Sequence, residues 1–298
     1  MKQVKLGASG LSVGTIAYGC WRFAGDEARQ ADRKIRTALD HGMTLIDTAD
    51  IYGYGEPAGF GGAEVGLGEV LAADPSLRAR MVLATKGGVH LPTPYKASGD
   101  YLAKAVDASL SRLGVDHIDL YQVHRPDLLA AADDTARALN DMVSAGKVGA
   151  VGVSNYTPAQ TRALAAHLSV PIVSMQPEFS VLQQAPIEDG VLDWCAETGA
   201  ACLCWSPLAG GQLFGDGAGS DPRRGRVVDL LDTLAAKYDA DRACIALAFV
   251  LRHPSNTIPI IGTQKPERIA SLAKAADITL EARDWYDIVE AYRGEPMP

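Results

Sequence analysis

The sequence predicts an α/β protein folded as a closed (β/α)8 barrel, and three observations carry that prediction. Eight short, nearly continuous apolar runs recur at regular intervals along the 298 residues, each followed by a helix-period segment. Runs of that kind suit parallel strands buried on both faces. No G-x-G-x-x-G turn follows an early strand; Gly19-Cys20-Trp21 stands there instead, which disfavours a doubly wound sheet. No low-complexity linker interrupts the chain, so residues 1–298 read as a single domain.

Residues 3–6 and 11–13 read as a short N-terminal β-hairpin around the turn Gly7-Ala8-Ser9-Gly10. The first barrel strand covers residues 16–19, and an amphipathic helix over 28–41 is closed by Gly42. The second strand, 44–47, leads through a glycine-rich loop (53–62) into a helix over 63–73. The third, 81–86, precedes Gly87-Gly88, a loop holding Pro92 and Pro94, and a helix over 100–113 ended by Gly114. The fourth, 118–124, is stopped by Arg125-Pro126, and the next helix, 132–145, ends at Gly146. After the fifth strand, 148–153, Thr157 is placed to cap a helix that begins with Pro158. The sixth strand is 172–176, with a helix over 188–197 ended by Gly199. The seventh, 201–205, is followed by a glycine-rich segment over 207–225 and helices over 227–238 and 242–252. The eighth strand, 257–261, precedes a helix over 266–276 and a polar, aromatic-bearing C-terminal helix and tail.

Composition narrows the function classes. Hydrophobic content of 47% with 21% charged residues is that of a soluble globular protein. A net charge of −8 argues against nucleic acid or an anionic membrane as a general partner, while leaving room for a local basic pocket that takes a phosphate. Cys20, Cys195, Cys202, Cys204 and Cys244 make no C-x-x-C pair and complete no zinc pattern, so they read as buried thiols of a reducing compartment. With no apolar leader and no membrane-length apolar run, the expected location is the cytoplasm. No apolar surface stripe marks an assembly face, and a monomer is the default.

The stretch Thr44-Leu45-Ile46-Asp47-Thr48-Ala49-Asp50-Ile51-Tyr52-Gly53 joins a buried strand to a carboxylate and, five residues on, a tyrosine. Asp47 ends the second strand, Lys86 the third and His124 the fourth. In a barrel the carboxyl ends of neighbouring strands share one face, where active sites lie. Each residue alone is explained as readily by capping, packing or solvation. Three consecutive strands ending in Asp, Lys and His are poorly explained by coincidence. The set suits proton transfer to a carbonyl oxygen: an ammonium beside a phenol lowers its pKa from about 10, and a carboxylate keeps the ammonium charged and aimed. His124 can orient the substrate oxygen. Neither a nucleophile–base pair nor a second carboxylate for glycoside hydrolysis is present, and pairing with Asp47 makes Lys86 a poor Schiff-base nucleophile.

Over essentially its whole length the chain resembles the aldo-keto reductase family of TIM barrel enzymes. The resemblance is carried by Leu6-Gly7-x-x-Gly10-Leu11-x-Val13, Ile46-Asp47-Thr48-Ala49-x-x-Tyr52-Gly53, Thr85-Lys86, His124-Arg125 and Val151-Gly152-Val153-Ser154-Asn155. Gln176, Trp205-Ser206-Pro207-Leu208 and Ile261-Gly262-Thr263-x-x-Pro266-Glu267-Arg268-Ile269 complete it. His-Arg-Pro-Asp after the fourth strand is most similar to a bacterial oxidoreductase subgroup.

The resemblance implies a catalytic tetrad of Asp47, Tyr52, Lys86 and His124, with Tyr52 as general acid in reducing an aldehyde or ketone. It implies an NADP(H) cofactor across the barrel mouth, with Ser154, Asn155 and Gln176 at the carboxamide and Trp205 stacked on the nicotinamide. Gly19, Cys20 and Trp21 line the same mouth, and Ser206, Pro207, Leu208 and Gly210 open the loop over the pyrophosphate. Gly262, Thr263, Gln264 and Arg268 are implied cofactor contacts, and Thr263 and Arg268 match the positions at the adenosine 2′-phosphate, where a hydroxyl and a guanidinium at a helix start form a sound anion site. Leu272 departs from the asparagine common near the adenine. Trp21, Phe23, Tyr54 and Tyr95, with Tyr52 and His124, are candidates for the substrate wall, and the loop aromatics are equally readable as packing. Arg125 either meets a substrate carboxylate or pairs with Asp127; Arg223, Arg224 and Arg226 either reach phosphate or are solvated. The alternative in another class is an NADP(H)-binding sensor or accessory protein with little turnover.

Overall fold

In a computed structural model, which describes residues 1–214 and 221–298, eight parallel strands close into a barrel. With strands numbered in chain order, a hairpin of β1 (Gln3–Lys5) and β2 (Ser12–Gly14) comes first. The barrel then follows as β3 (Ala17–Gly19), β4 (Leu45–Asp47), β5 (Val82–Gly87), β8 (Ile118–Val123), β9 (Val148–Ser154), β10 (Ile172–Gln176), β11 (Ala201–Cys204) and β12 (Thr257–Ile261). Pairing of Ile260 with Ala17 and Ile261 with Tyr18 closes the ring. This is the (β/α)8 TIM barrel the sequence predicts.

Side-chain alternation divides the core in two. Ala17, Leu45, Ala84, Leu120, Ala201, Leu203 and Ile258 point into the barrel, where Leu6 and Val13 of the hairpin join them and close its lower end. Their outward neighbours, such as Ile46, Leu83, Tyr121 and Val151, pack under the surrounding helices. The hairpin turn needs glycine because a Cβ on Gly7, at φ +53°, would stand 2.3 Å from the Val173 carbonyl oxygen.

The helices are α1 (Ala28–Asp40), α2 (Gly62–Ala73), α3 (Gly99–Leu113), α4 (Ala132–Ser144), α5 (Pro158–Ala165), α6 (Val191–Thr198), α7 (Pro222–Lys237), α8 (Arg242–Arg252), α9 (Pro266–Leu272) and α10 (Ala282–Arg293). Thr157 caps α5 in a full capping box with Gln160. Four expectations change. The loop with Pro92 and Pro94 contains a second small hairpin, β6 (Val89–His90) with β7 (Thr93–Tyr95). Helix α6 begins at Val191 rather than 188, after a short 3-10 turn at Ala185–Ile187. Helix α9 gives way at Leu272 to a 3-10 turn over Ala273–Asp277. Helix α7 reaches back to Pro222, capped by the Asp221 side chain, so the last part of the segment assigned to a loop, Gly225 included, is helical. Residues 215–220 of that segment lie outside the described residues. Among the described residues no helix is long and apolar enough to cross a membrane.

Candidate active site

Along each early strand the inward face turns from apolar to polar as it rises: Leu45 to Asp47, Ala84 to Lys86, Leu120 to Gln122. Strand periodicity therefore delivers three polar side chains to one level of the barrel, and Lys86 is fully buried there. Its Nζ donates to Asp47 Oδ2 at 2.5 Å, to the Thr48 carbonyl at 2.8 Å and to Tyr52 Oη at 3.2 Å. All three ammonium protons are thus used. Because an ammonium only donates, the Tyr52 oxygen accepts, and the phenolic proton stays free to be given elsewhere. Asp47 Oδ1 takes amide protons from Gln176 Nε2 at 3.1 Å and Gln122 Nε2 at 3.4 Å. Gln122 was not singled out in the sequence, although its place two residues after Leu120 marks it as inward-facing.

His124 follows β8 directly and its N–H donates to the Gly87 carbonyl at 2.8 Å, which extends the strand pairing by one residue. Its ring meets that of Tyr52 edge-on, with centroids 5.8 Å apart. Burial, reinforced by the Lys86 and Arg125 charges, holds the imidazole pKa well below its usual range, so the ring is neutral near pH 7. Nδ1 is buried without a partner among the described residues, leaving Nε2 as the nitrogen for the pocket. For Lys86, burial favours the neutral amine, but Asp47 and Tyr52 outweigh it and the ammonium is kept. Tyr52 corrects an expectation. Burial pushes its pKa up, the Lys86 charge pulls against that, and the net direction is upward rather than downward.

Above this cluster lies a pocket of about 500 Å³ that runs across the barrel mouth. Asp47, Tyr52, His124, Gly19, Trp21, Ser154, Asn155, Gln176 and Trp205 line its catalytic end, and Ser206, Pro207, Leu208, Gly210, Gly262, Thr263, Gln264 and Arg268 the remainder. Arg22, Arg125, Gly211, Phe214, Ile260, Ile261 and Lys265 join them without having been singled out as pocket residues, except that Arg125 was considered for a substrate charge. Lys265 falls at an unspecified position of a quoted motif and was not identified, and Phe214 carried no local signal. Cys20 is fully buried and Phe23 nearly so, which keeps both side chains off the pocket wall, while Tyr54 and Tyr95 are exposed away from it.

The rim is tightly connected. Trp205 Nε1 donates to Asn155 Oδ1 at 2.9 Å, and Asn155 Nδ2 donates to Ser154 Oγ at 2.8 Å and the His124 carbonyl at 3.3 Å. Asn155, Ser206 and Ala209 all hold left-handed backbone at φ +59°, +49° and +51°, a conformation that costs non-glycine residues energy and clusters at working sites. At the other end, the Arg268 guanidinium lies 4.8 Å above the Phe214 ring. Gly210 and Gly211 also have positive φ, and among the described residues a Cβ on either would meet no atom within 4 Å, so the backbone there is open toward the pocket. An elongated anionic cofactor fits this arrangement: cations and a hydroxyl at one end, bare backbone between, the buried tetrad at the other.

The three arginines of α7 are placed elsewhere. Arg226 donates to the Ala291 carbonyl, Arg223 lies over Tyr292, and Arg224 donates to the Phe214 carbonyl. Asp127 does not pair with Arg125; its carboxylate accepts the N–H groups of Ala97 and Leu129. Leu272 is buried and is not among the residues that line the pocket. Behind Lys86, in the layer under the helices, Asp50 is buried with both carboxyl oxygens unpartnered among the described residues, and the Tyr121 hydroxyl is likewise. Burial and the Glu64 charge push the Asp50 pKa well up, which favours its neutral acid. Glu64 itself is satisfied by Thr85 Oγ1 at 2.5 Å and Arg112 Nε at 2.7 Å.

Comparison with known proteins agrees with the geometry. The model of the Aldo/keto reductase family matches residues 15–293. The chain belongs to that family. A 6-dehydroglucose reductase of Novosphingobium aromaticivorans is 47% identical over 296 residues, 99% of this chain and 96% of the relative. A second 6-dehydroglucose reductase, from Agrobacterium fabrum, is 35% identical over 93% of this chain and 94% of its own length. Oxidoreductase YdhF of Escherichia coli is 33% identical with full coverage of both. Among solved structures, the thermostable aldo-keto reductase Tm1743, crystallised with the inhibitor epalrestat, superposes with a TM-score of 0.82 at 25% identity, covering 98% of this chain and 100% of that one. Membership in the aldo-keto reductases makes the chain an oxidoreductase of small carbonyl compounds in general terms.

Proposed function

We propose that the protein reduces an aldehyde or ketone to the alcohol, reversibly, with NADP(H) as cofactor and Tyr52 as proton donor. The observation that carries this reading is the Lys86 ammonium donating to the Tyr52 oxygen at 3.2 Å while also bonded to Asp47 and Thr48. When bound, the nicotinamide supplies a hydride to the carbonyl carbon. The oxygen of that carbonyl then becomes far more basic than a phenolate. Tyr52 gives it a proton, and the phenolate left behind is stabilised by the ammonium beside it. The upward direction of the Tyr52 pKa keeps the phenol fully protonated beforehand. Asp47 holds Lys86 charged and directed and never touches the transferred proton. Neutral His124, with Nε2 free, donates to the same substrate oxygen and fixes its angle.

Thr263, Lys265 and Arg268 form the 2′-phosphate end, and this favours NADP(H) over NAD(H). Trp205 supports the nicotinamide ring. Ser154, Asn155 and Gln176 stand at the carboxamide; their donors are already engaged, Ser154 Oγ with the Gln176 carbonyl, Asn155 Nδ2 with Ser154 Oγ and Gln176 Nε2 with Asp47 Oδ1, so they act there as a rigid frame. The similarity to two 6-dehydroglucose reductases makes a sugar aldehyde the first substrate to test.

Oxidation of NADPH with a panel of aldehydes, followed at 340 nm on the order of minutes, tests the assignment. Tyr52→Phe should cut kcat by about 10²–10⁴-fold while NADPH still binds. Undiminished turnover in that variant would remove Tyr52 from its role. Tight NADPH binding without turnover on any carbonyl compound would favour a sensor instead.

A further inference from the structure

Arg125 is a charged side chain at the catalytic end for which the reaction above has no use. It lines the pocket next to His124, is half-buried, and takes part in none of the ion pairs or side-chain hydrogen bonds formed among the described residues. Its guanidinium lies 5.7 Å from the centre of the Trp205 ring, so the planar group is held against the indole and its direction is restricted. A guanidinium carries five N–H donors. Half-removed from water and given no protein acceptor, it is completed by oxygen atoms that a ligand brings.

Two neighbours indicate which oxygens. Glu178 stands alongside Trp205 through a parallel backbone bridge, and its carboxyl group, itself half-buried, shares an electrostatic interaction with Arg125. An anionic substituent at Arg125 would therefore meet a carboxylate as well as the guanidinium, whereas neutral hydroxyl groups meet no such opposition. Trp21, in the same pocket, leaves 56% of its surface exposed. The Arg22 guanidinium lies 5.1 Å from the centre of the Trp21 ring, and the indole surface that stays exposed is suited to the C–H face of a carbon chain whose edges carry hydroxyls.

We propose that Arg125 is a specificity-determining residue: braced on Trp205 and sharing the pocket with Trp21, it donates hydrogen bonds to the hydroxyl groups of a polyhydroxylated aldehyde, and so selects sugar-type carbonyl compounds over plain aliphatic ones. The proposal rests on the reductase reading and adds the residue that reads the substrate. It involves no new covalent step.

Matched pairs test it with the purified full chain and NADPH: glyceraldehyde against propanal, which differ only in hydroxyl groups, and succinic semialdehyde against butanal, which differ only in a carboxylate. For the native protein, kcat/KM for glyceraldehyde should exceed that for propanal. Arg125→Met should lower the glyceraldehyde-to-propanal ratio by about 10–100-fold, mainly through KM for glyceraldehyde, as expected for lost charge-assisted hydrogen bonds. Arg125→Lys should restore part of it. Because the ratio is taken within one preparation, a change in folded fraction cancels. An unchanged ratio in Arg125→Met overturns the proposal. So does a native preference for succinic semialdehyde over butanal that disappears in Arg125→Met, which would make Arg125 a reader of anions. No turnover of any of the four by the native chain would overturn the reductase reading itself, and the subsite with it.

Discussion

At the scale of residues, the Asp47–Lys86 pair is where chemistry and stability meet. Both side chains are almost completely out of water, and Lys86 is fully so. Two charges in that position are tolerable only together, since each supplies the hydrogen bonds the other needs. Lys86→Met therefore strands the Asp47 carboxylate and should cost about 3–5 kcal/mol of unfolding free energy, whereas adding Asp47→Asn should recover a substantial part. Urea melts of the two single variants and the double variant measure the coupling, and strictly additive losses would contradict the buried pair. Activity should be lost in all three. The identities of these residues were legible because charges at the ends of apolar strands are conspicuous. Their energetics were not: the ammonium beside Tyr52 was expected to lower the phenol's pKa, and only the fold shows that burial outweighs it. Gln122 escaped notice for a related reason, since an uncharged amide inside a strand gives no signal until the register places it beside Asp47.

At the scale of elements, α2 shows how two glycines five and seven residues after the left-handed Gly61 that precedes it play opposite parts. A Cβ on Gly68 would stand 2.2 Å from the Arg112 carbonyl oxygen and 3.2 Å from the Leu113 backbone, so α2 crosses the end of α3 in direct backbone contact there. Among the described residues a Cβ on Gly66 would meet only the Phe23 carbonyl, at an ordinary 3.7 Å. Gly66→Ala should thus stabilise by about 0.5–1 kcal/mol through helix propensity alone. Gly68→Ala gains the same propensity but must separate the two helices, and a net loss of about 1–3 kcal/mol is expected. Thermal melts compare them directly; equal shifts would mean that the α2–α3 contact yields freely. That contact matters to the site because Arg112, at the end of α3, anchors Glu64 of α2, which in turn bonds Thr85 beside Lys86. The helix boundaries that the sequence misplaced have local causes. Pro222 and Asp221 are a capping pair hidden inside a run that also reads as loop, and β6–β7 pairs exposed residues around a proline, without the alternating apolar pattern that announces a strand.

At the scale of the whole molecule, the barrel was legible because eight apolar runs with intervening helices admit few closed arrangements, and the closing pair β12–β3 follows from the count. Electrostatics at this scale was only half legible. The net charge of −8 speaks for a surface that repels anions, yet Arg22, Arg125, Lys265 and Arg268 converge on the one pocket proposed to take a polyanionic cofactor. Their separation in sequence, from position 22 to 268, is what concealed the convergence. Beyond a Debye length, about 8 Å at physiological ionic strength, the overall charge is largely screened, so the local cations govern the final approach. Binding of NADPH should weaken more steeply than binding of NADH as salt rises from about 0.05 M to about 0.5 M, because the extra phosphate is held by charge. Arg268, steadied over Phe214 as Arg125 is over Trp205, is the cation assigned to that phosphate. Arg268→Ala should raise the NADPH dissociation constant by about 10–100-fold, the worth of charge-assisted hydrogen bonds, and change that for NADH by no more than about threefold. Fluorescence titrations of both nucleotides at low and high salt, with native and Arg268→Ala protein, read all of these quantities. If the variant loses NADPH and NADH affinity equally, or keeps the native salt dependence for NADPH, the phosphate is held elsewhere in the pocket and the cofactor lies in a different direction across the barrel mouth.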